Sequence, residues 1–232
     1  MNHRPVFYFG ALFVLGATSI GCTASENEEP PDLPQDTGPQ PLEDTGTPLS
    51  YDPALSVQAN LDNGVSVLDI LAEQPTEALY GALYQGGHIF HVEPETGSGL
   101  VAYAIENSSP IHWNDFANQA PELGLGSEIG TGQPNTIAIV QALGEDSYAA
   151  QVAHDVLLND YEDWFLPSID ELTAVYERLH VAELGNALAG NSYWSSTDEG
   201  TGAWVIYFAN GNTYTPAKIH DHHHVLPVRA FN

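Results

Sequence analysis

The residues best suited to chemistry lie near the C-terminus, in the run His220-Asp221-His222-His223-His224. Alternate side chains of an extended segment share a face, so His220, His222 and His224 would lie together. Imidazoles bind zinc, copper and nickel, although neighbours on one strand rarely complete a tetrahedral site without a ligand from elsewhere. A divalent transition metal at these three histidines is therefore one hypothesis, and no other cofactor is expected.

The same run continues a polar stretch that is suited to binding a protein or a glycan. Asn, His and Tyr side chains combine hydrogen-bonding groups with apolar area. Polar residues flank Trp113, which is a candidate exposed aromatic, whereas Trp164, Trp194 and Trp204 lie in apolar motifs and are predicted core residues. The predicted ligand-binding residues are Trp113, Asn210, Asn212, Tyr214, His220, Asp221, His222, His223 and His224.

The charge of the chain limits its partners. It has 4 Lys and Arg against 31 Asp and Glu, a formal net charge of −27. A field of that sign repels nucleic acids, anionic lipid headgroups and sulfated polysaccharides. We therefore expect no nucleic-acid partner and no sulfated polyanion as ligand.

The sequence gives little support for an enzyme. It contains no nucleophile elbow, phosphate-binding loop or paired carboxylates at a catalytic spacing. The single cysteine, Cys22, excludes an internal disulfide and any active site that needs a cysteine pair. A binding protein without catalytic turnover is the predicted class.

The N-terminus resembles a lipoprotein export signal. Arg4 precedes an apolar run, 6–17, which is shorter than the roughly 20 residues that a membrane-spanning helix needs. Ser19-Ile20-Gly21-Cys22 resembles the lipobox cut by lipoprotein signal peptidase, although Ser19 stands where Leu is more usual. We expect residues 1–21 to be removed and Cys22 to carry a membrane-anchoring lipid. An ordinary secretory signal with a chance cysteine is the alternative.

The segment that follows the predicted anchor is rich in proline and acidic residues. Residues 22–52 contain almost no large apolar side chains, so they cannot bury enough surface to offset the entropy of ordering them. We expect a disordered spacer that holds a domain, 53–232, away from a membrane. Because Thr23 and not Asp follows the cysteine, the bacterial outer membrane is the expected location.

Strands and helices alternate in blocks along residues 53–232. Apolar segments 87–92 and 100–105, with a Gly-rich stretch between them, predict a β-hairpin. A first helical region is predicted from an Asn135 cap to Leu143, breaks near Gly144 and resumes over 147–157. A second helix is predicted over 169–180, because Ser168 and Glu171 form a capping box.

The last forty residues return to strand patterns. Segments 193–197 and 203–208 predict strands, and Asn210-Gly211 predicts a two-residue type I′ hairpin turn. A final strand, 225–231, contains Pro227, which is typical of a sheet edge or a bulge. Within it, Arg229 is a predicted ion-pair partner of Asp163 or Glu171. This order predicts an α+β domain with two main helical regions and a mostly antiparallel sheet.

Six motifs of this domain occur in the order found in a known family. The motifs are Asp62-Asn63-Gly64-Val65-Ser66, Tyr84-Gln85-Gly86-Gly87-His88-Ile89-Phe90, Ile129-Gly130-Thr131-Gly132-Gln133-Pro134-Asn135-Thr136, Asp163-Trp164-Phe165-Leu166-Pro167-Ser168, Tyr193-Trp194-Ser195-Ser196-Thr197 and Pro227-Val228-Arg229-Ala230-Phe231. Together they resemble DUF1566, the C-terminal domain of the Legionella collagen-like adhesin, over about residues 60–232.

The resemblance implies a C-type-lectin-like fold in which N- and C-terminal strands pair, and a binding module on a bacterial surface. Glycosaminoglycan capture needs Lys and Arg, which this domain almost lacks, so polyanion binding is not carried over. Related lectin-like folds serve as variable proteins of diversity-generating retroelements. Because Asn, Asp, His and Tyr codons differ at the first base, residues 210–224 fit adenine-directed diversification of Asn codons, and an ordinary polar loop is the alternative.

Overall fold

The computed structural model describes residues 49–103, 109–114, 123–184 and 190–232. The predicted export signal, Cys22 and the spacer up to residue 48 lie outside these residues. Among the helices that are described, none is long and apolar enough to cross a membrane.

Two short helices open the described chain. Helix α1, Val57–Asp62, begins where Ser56 Oγ accepts the N–H of Ala59 at 3.1 Å, and α2, Val67–Leu71, begins where Ser66 Oγ accepts the N–H of Asp69 at 3.1 Å. A single 3-10 turn, Thr76–Leu79, follows. These elements were not predicted from the sequence, and their buried side chains cover one face of the first sheet.

The first sheet has four antiparallel strands in the order β1-β2-β3-β7. They are β1 Leu83–Tyr84, β2 Gly87–Val92, β3 Gly99–Ala102 and β7 Val228–Phe231. The predicted hairpin is confirmed as β2 and β3, and the last strand lies at a sheet edge, as Pro227 indicated. The C-terminal strand therefore joins the N-terminal strands, but its partner is the third of them, while β1 lies at the opposite edge.

The first helical region consists of α3, Gly132–Leu143, and α4, Ala149–His154. The predicted break is confirmed at Gly144, which ends α3 with a φ of 77°. The predicted cap at Asn135 is wrong, because α3 begins three residues earlier. The buried Asn135 amide instead donates to Gly126 O at 2.8 Å and to Ser196 Oγ at 3.1 Å, so it joins a loop to a distant strand.

The second helical region begins as the sequence predicted. Helix α5, Ile169–Val175, continues into a π-helical turn, Tyr176–His180, and its capping box is complete. Ser168 Oγ accepts the N–H of Glu171 at 3.2 Å, and Glu171 Oε2 accepts the N–H of Ser168 at 2.8 Å.

The second sheet has three antiparallel strands in the order β4-β5-β6. They are β4 Ser192–Glu199, β5 Gly202–Tyr207 and β6 Asn212–Tyr214. The β5–β6 hairpin is confirmed, but its type I′ turn is wrong, since a longer loop joins Tyr207 to its partner Asn212 and only Gly211 of the predicted pair has a positive φ, 74°. A side chain at Gly211 would also meet the Tyr176 ring at 2.7 Å, which explains a glycine there.

The second sheet is covered on both faces. Tyr193 and Ile206 pack in one apolar cluster with Leu172 and Val175 of α5. Trp194 and Val205 pack in another with residues of α3 and α4. Among the described residues, both faces of β4 and β5 are covered, while the three residues of β6 form an exposed edge. The described architecture is α+β.

Candidate functional site

The predicted ligand-binding residues lie along the β6 edge and the segment that follows it. Six of them are exposed, namely Asn210, Asn212, Tyr214, His220, Asp221 and His222. Three are not, because Trp113 and His223 are buried and His224 is half-buried. The nine predicted residues therefore divide into six that are exposed to solvent and three that lie beneath the surface and support it.

Hydrogen bonds fix the path of the exposed segment. After β6, Ala217 bridges Gly202, and the N–H of Lys218 donates to Thr201 O at 3.2 Å. A turn follows, in which the N–H of His220 donates to Ala217 O at 3.0 Å. His220, Asp221 and His222 are thereby held in a surface loop between two anchored points, Lys218 and His223.

The first anchored point is a buried ion pair. Lys218 Nζ lies 2.9 Å from Asp198 Oδ2, with side chains 4% and 0% exposed, and 4.6 Å from the centre of the Trp113 ring. Asp198 also accepts the N–H groups of Leu123 at 3.2 Å and Leu125 at 3.3 Å. A buried charge needs such compensation, so this arrangement ties the base of the loop to β4.

The second anchored point is His223, whose side chain faces inward. Its Nδ1 lies 2.7 Å from Ser192 Oγ, and its ring packs against Trp194 at 4.5 Å and Tyr214 at 5.8 Å between centroids. Its carbonyl accepts the N–H of Ile111 at 2.8 Å. Burial, with a smaller contribution from His220, His222 and His224, lowers the pKa of His223 to about 4. His223 is therefore neutral near pH 7 and supports Tyr214 from below.

The low pKa of His223 predicts a loss of folding stability in acid. Because its pKa is about 4 in the folded chain and 6.5 ordinarily, the unfolded chain binds a proton between these values that the folded chain does not. The contribution of neutral His223 to the free energy of unfolding is fully present above about pH 6.5, and it is lost as the pH falls to about 4. We expect this group to contribute about 2 kcal/mol of that loss, allowing for residual solvent access.

Urea unfolding at pH 7 and pH 4 measures this effect. His223→Asn keeps a hydrogen-bonding group near Ser192 and removes the titration, so its stability should change less between the two pH values. An equal change in both proteins would contradict the assignment.

The structure does not gather His220, His222 and His224 as a three-histidine metal site. The ring of His224 packs beside Tyr193, with 6.0 Å between centroids, and its backbone pairs with β4. Across the described ranges, no group of three or more His, Cys, Asp or Glu residues is placed to hold a metal ion. The predicted shared face holds for His220 and His222, whose ring centroids lie 6.3 Å apart, but it fails for His224, whose backbone bridges Tyr193.

The prediction of Trp113 as an exposed aromatic is wrong. Its side chain is 0% exposed, and its Nε1–H donates to Ser195 O at 2.8 Å. Trp113 thus joins the 109–114 segment to β4 and carries Lys218 on its ring face. The polar neighbours that suggested exposure belong to a loop that runs across the second sheet.

The predicted role of Arg229 is confirmed. Arg229 Nε donates to Asp163 Oδ1, and Arg229 Nη1 donates to Gln85 Oε1 at 3.0 Å. Its guanidinium also lies 3.9 Å from the centre of the Tyr161 ring. Arg229 therefore holds the edge of the first sheet and is no part of the exposed loop.

The sequence analysis missed two exposed apolar residues beside the predicted surface. Tyr207 and Ile219 are each 40% exposed, close to the 42% of Tyr214. The register pairs Tyr214 with Val205 and Asn212 with Tyr207, so Tyr207 and Tyr214 lie diagonally on one face of the hairpin. Strand alternation could not have identified Tyr207, because it shares a face of β5 with the buried Ala203 and Val205. We use the name ligand surface for Tyr207 together with the six exposed predicted residues, Asn210, Asn212, Tyr214, His220, Asp221 and His222.

Comparison with known proteins identifies the domain. Residues 104–229, more than half of the 232-residue chain, match the family described as the Lcl C-terminal domain. The motifs at 62–66 and 84–90 precede the match, which is therefore shorter than the predicted 60–232. No curated protein matches the chain. The chain belongs to the Lcl C-terminal domain family, the family of the Legionella collagen-like protein that its motifs indicated.

Proposed function

We propose that this protein is an exported, lipid-anchored binding module that recognises a protein or glycan through the ligand surface, without catalytic turnover. Its family supports an adhesin-like surface domain. The observation that carries the proposal is the exposed β6 edge, where two tyrosines lie diagonally on one face beside exposed Asn and His side chains. Aromatic rings bury large areas at low entropy cost, and the polar groups give hydrogen bonds.

The supporting residues have a separate role in this proposal. His223 and Trp113 are buried, and they position the loop without meeting the ligand. His224 is half-buried, and its backbone carbonyl accepts the N–H of Trp194 at 3.0 Å. We therefore exclude Trp113, His223 and His224 from the proposed ligand contacts. Tyr207 is added to them.

The mixed helix and sheet architecture is compatible with a C-type-lectin-like fold, which we propose for the domain. In that arrangement the first sheet pairs β3 with the C-terminal strand β7, and the second sheet displays the ligand surface. The formal charge of −27 argues against nucleic acid and sulfated polysaccharide as ligands, since both would be repelled. An uncharged glycan or a protein with a neutral or cationic surface fits the charge better.

Retroelement diversification remains a proposal about the gene. Asn210, Asn212, Tyr214, His220, Asp221 and His222 are exposed, so they can change without disturbing the core. His223 packs against Trp194 and cannot vary as freely. Sequencing the locus in sister isolates tests the idea. Substitutions concentrated at the six exposed codons, with His223 unchanged, would support it, and a uniform sequence would refute it.

The proposed anchor depends on Cys22. We expect the native chain to incorporate a labelled fatty acid during expression and to remain in the membrane fraction. Cys22→Ala removes the thiol that accepts the lipid, so it should abolish labelling and retain the uncleaved signal. Cys22→Ser is a second test of the same thiol, because its hydroxyl is close in shape. Labelling of either variant would refute the proposed lipid site.

Capture of glycans or of intact cells by the protein tests the ligand surface. Full-length protein in lipid vesicles would be presented to a glycan array and to intact bacterial and eukaryotic cells. Changing Tyr214, His220 and His222 together to alanine should weaken any capture at least about 30-fold, the effect of losing hot-spot contacts worth about 2 kcal/mol.

A matched variant separates the surface from general effects. His154 and Leu157 are exposed residues of the α4 region, and Leu157 is 72% exposed. Changing both to alanine should leave capture unchanged. Capture that survives the first variant, or fails equally in both, would refute the proposed surface.

A further inference from the structure

Two exposed imidazoles face solvent in the loop between Lys218 and His223. The ring centroids of His220 and His222 lie 6.3 Å apart, with 38° between the ring planes. Asp221, the residue between them, has a carboxylate oxygen 3.2 Å from His222 Nδ1. The side chains of His222 and Asp221 are 79% and 68% exposed, so the His222 ring is free to turn toward an incoming ion.

We propose that His220 and His222 together bind one divalent transition-metal ion, with Asp221 as the carboxylate that orients His222. The metal would keep its remaining coordination positions for water or for donor groups of a bound ligand. This site goes beyond the proposed binding function, which needs no metal.

The geometry of the pair fits one ion. Metal–nitrogen distances of about 2.1 Å place two imidazole centroids about 5 to 6 Å apart around a single ion, depending on the angle at the metal. The observed distance between the ring centroids, 6.3 Å, lies just above this range, so the two centroids need to approach each other by about 1 Å or less. Exposed side chains make such movements by ordinary rotamer changes.

The carboxylate of Asp221 lies at ion-pair distance from His222, 3.2 Å from Nδ1, and both side chains are exposed. A small turn of the exposed ring lets Nδ1–H donate to this carboxylate, which leaves the lone pair on Nε2 for a metal. Metal-bound histidines commonly use this arrangement, which fixes the ring. Asp221 therefore acts through His222 and is a positioning residue.

The other histidines of the run are committed elsewhere. His223 is buried, with its Nδ1 2.7 Å from Ser192 Oγ, and His224 packs beside Tyr193. Within the part of the chain that the structure describes, no third His, Cys, Asp or Glu completes the pair. Two protein ligands predict modest affinity and open positions, in contrast to a closed structural site. The anionic field of the chain raises the local concentration of divalent cations.

A matched control lies at the end of α4. His154 Nδ1 is 3.1 Å from Asp155 Oδ1, and both side chains are at least half exposed. In this pair the imidazole is hydrogen-bonded to the neighbouring carboxylate, and among the described residues its ring contacts no second histidine. The His154→Ala variant therefore measures how much one imidazole with a neighbouring carboxylate contributes to the affinity for Zn²⁺.

The experiment measures Zn²⁺ alone. Full-length protein, purified without an affinity tag, competes with a chromophoric chelator for Zn²⁺ at pH 7.5. We expect His220→Ala and His222→Ala each to weaken binding at least about tenfold, and Asp221→Asn also to weaken it about tenfold, as loss of an orienting group does. His154→Ala should leave the affinity unchanged.

A spectroscopic readout separates ligation from an indirect effect. On addition of Zn²⁺, the imidazole resonances of His220 and His222 should shift together and those of His154 should not. Unchanged affinity in His220→Ala or in His222→Ala would overturn the two-histidine site. Unchanged affinity in Asp221→Asn would overturn the positioning role. Since no other ligand is present, failure here is distinct from failure of the capture experiment.

Discussion

Replacing Glu171 with alanine is expected to lower the free energy of unfolding by about 3 to 5 kcal/mol. The Glu171 carboxylate is 0% exposed and gathers three backbone donors from two parts of the chain. Its Oε1 accepts the N–H of Gly130 at 2.8 Å and of Gly132 at 3.4 Å, while Oε2 accepts that of Ser168 at 2.8 Å. Alanine would leave the N–H groups of Gly132 and Ser168 buried without an acceptor, and the N–H of Gly130 without its carboxylate partner.

Burial raises the pKa of Glu171, and the backbone donors oppose this effect. The carboxylate is thus stabilised mainly by the start of α3 and by its own helix cap. A side chain cannot fit at Gly132 either, because its Cβ would collide with Glu171 Oε2. Glu171 therefore joins α3 to α5, which covers one face of the second sheet.

Urea unfolding followed by tryptophan fluorescence measures the loss. Glu171→Gln retains the volume and one acceptor, but its amide N–H₂ meets the N–H of Ser168, so a smaller loss of about 1 to 2 kcal/mol is expected. Asp170→Ala, an exposed change in the same helical turn, should cost less than about 1 kcal/mol. A loss for Glu171→Ala no larger than that of Asp170→Ala would contradict this role.

Replacing Lys218 with methionine is expected to destabilise the domain by about 3 to 5 kcal/mol, because it leaves Asp198 buried without a counter-ion. Methionine retains most of the apolar stem but loses the ammonium that lies 2.9 Å from Asp198 and faces the Trp113 ring. Since Lys218 begins the loop of the ligand surface, the same change should also weaken ligand capture.

A second change separates the charge from the packing. Asp198→Asn in the Lys218→Met background removes the unpaired carboxylate, so the double variant should be more stable than Lys218→Met alone. Unfolding free energies of the two single variants, the double variant and the native chain give the coupling energy. Additive effects would show that the ion pair contributes nothing.

Features fixed by neighbouring residues were predictable from the sequence. The capping box needs only Ser168 and Glu171, three residues apart, and it occurs as predicted. The hairpin of β2 and β3 follows from apolar runs that a turn separates. The Arg229–Asp163 pair is an exception: its partners lie 66 positions apart, yet it was predicted because a lone cation in an apolar strand needs an acid as a partner.

Features fixed by distant residues were not predictable. Polar neighbours suggested an exposed Trp113, but the chain places it under Lys218 and against β4, about a hundred positions later in the sequence. His223 is buried, unlike His222, because it bridges Ile111 and packs against Trp194, and a local pattern cannot reveal such contacts. Asn135 has the composition of a cap, yet its partners Gly126 and Ser196 meet it only in the folded chain.

The most direct test of the central claim is a photo-crosslinking comparison. A benzophenone amino acid replaces Asn212 on the ligand surface in one protein and the exposed Leu157 near α4 in another, and each is irradiated on cells that the native protein captures. We predict a covalent adduct with a cell-surface molecule from position 212 and none from position 157. An adduct from position 157 alone, or equal adducts from both, would contradict recognition through the β6 edge.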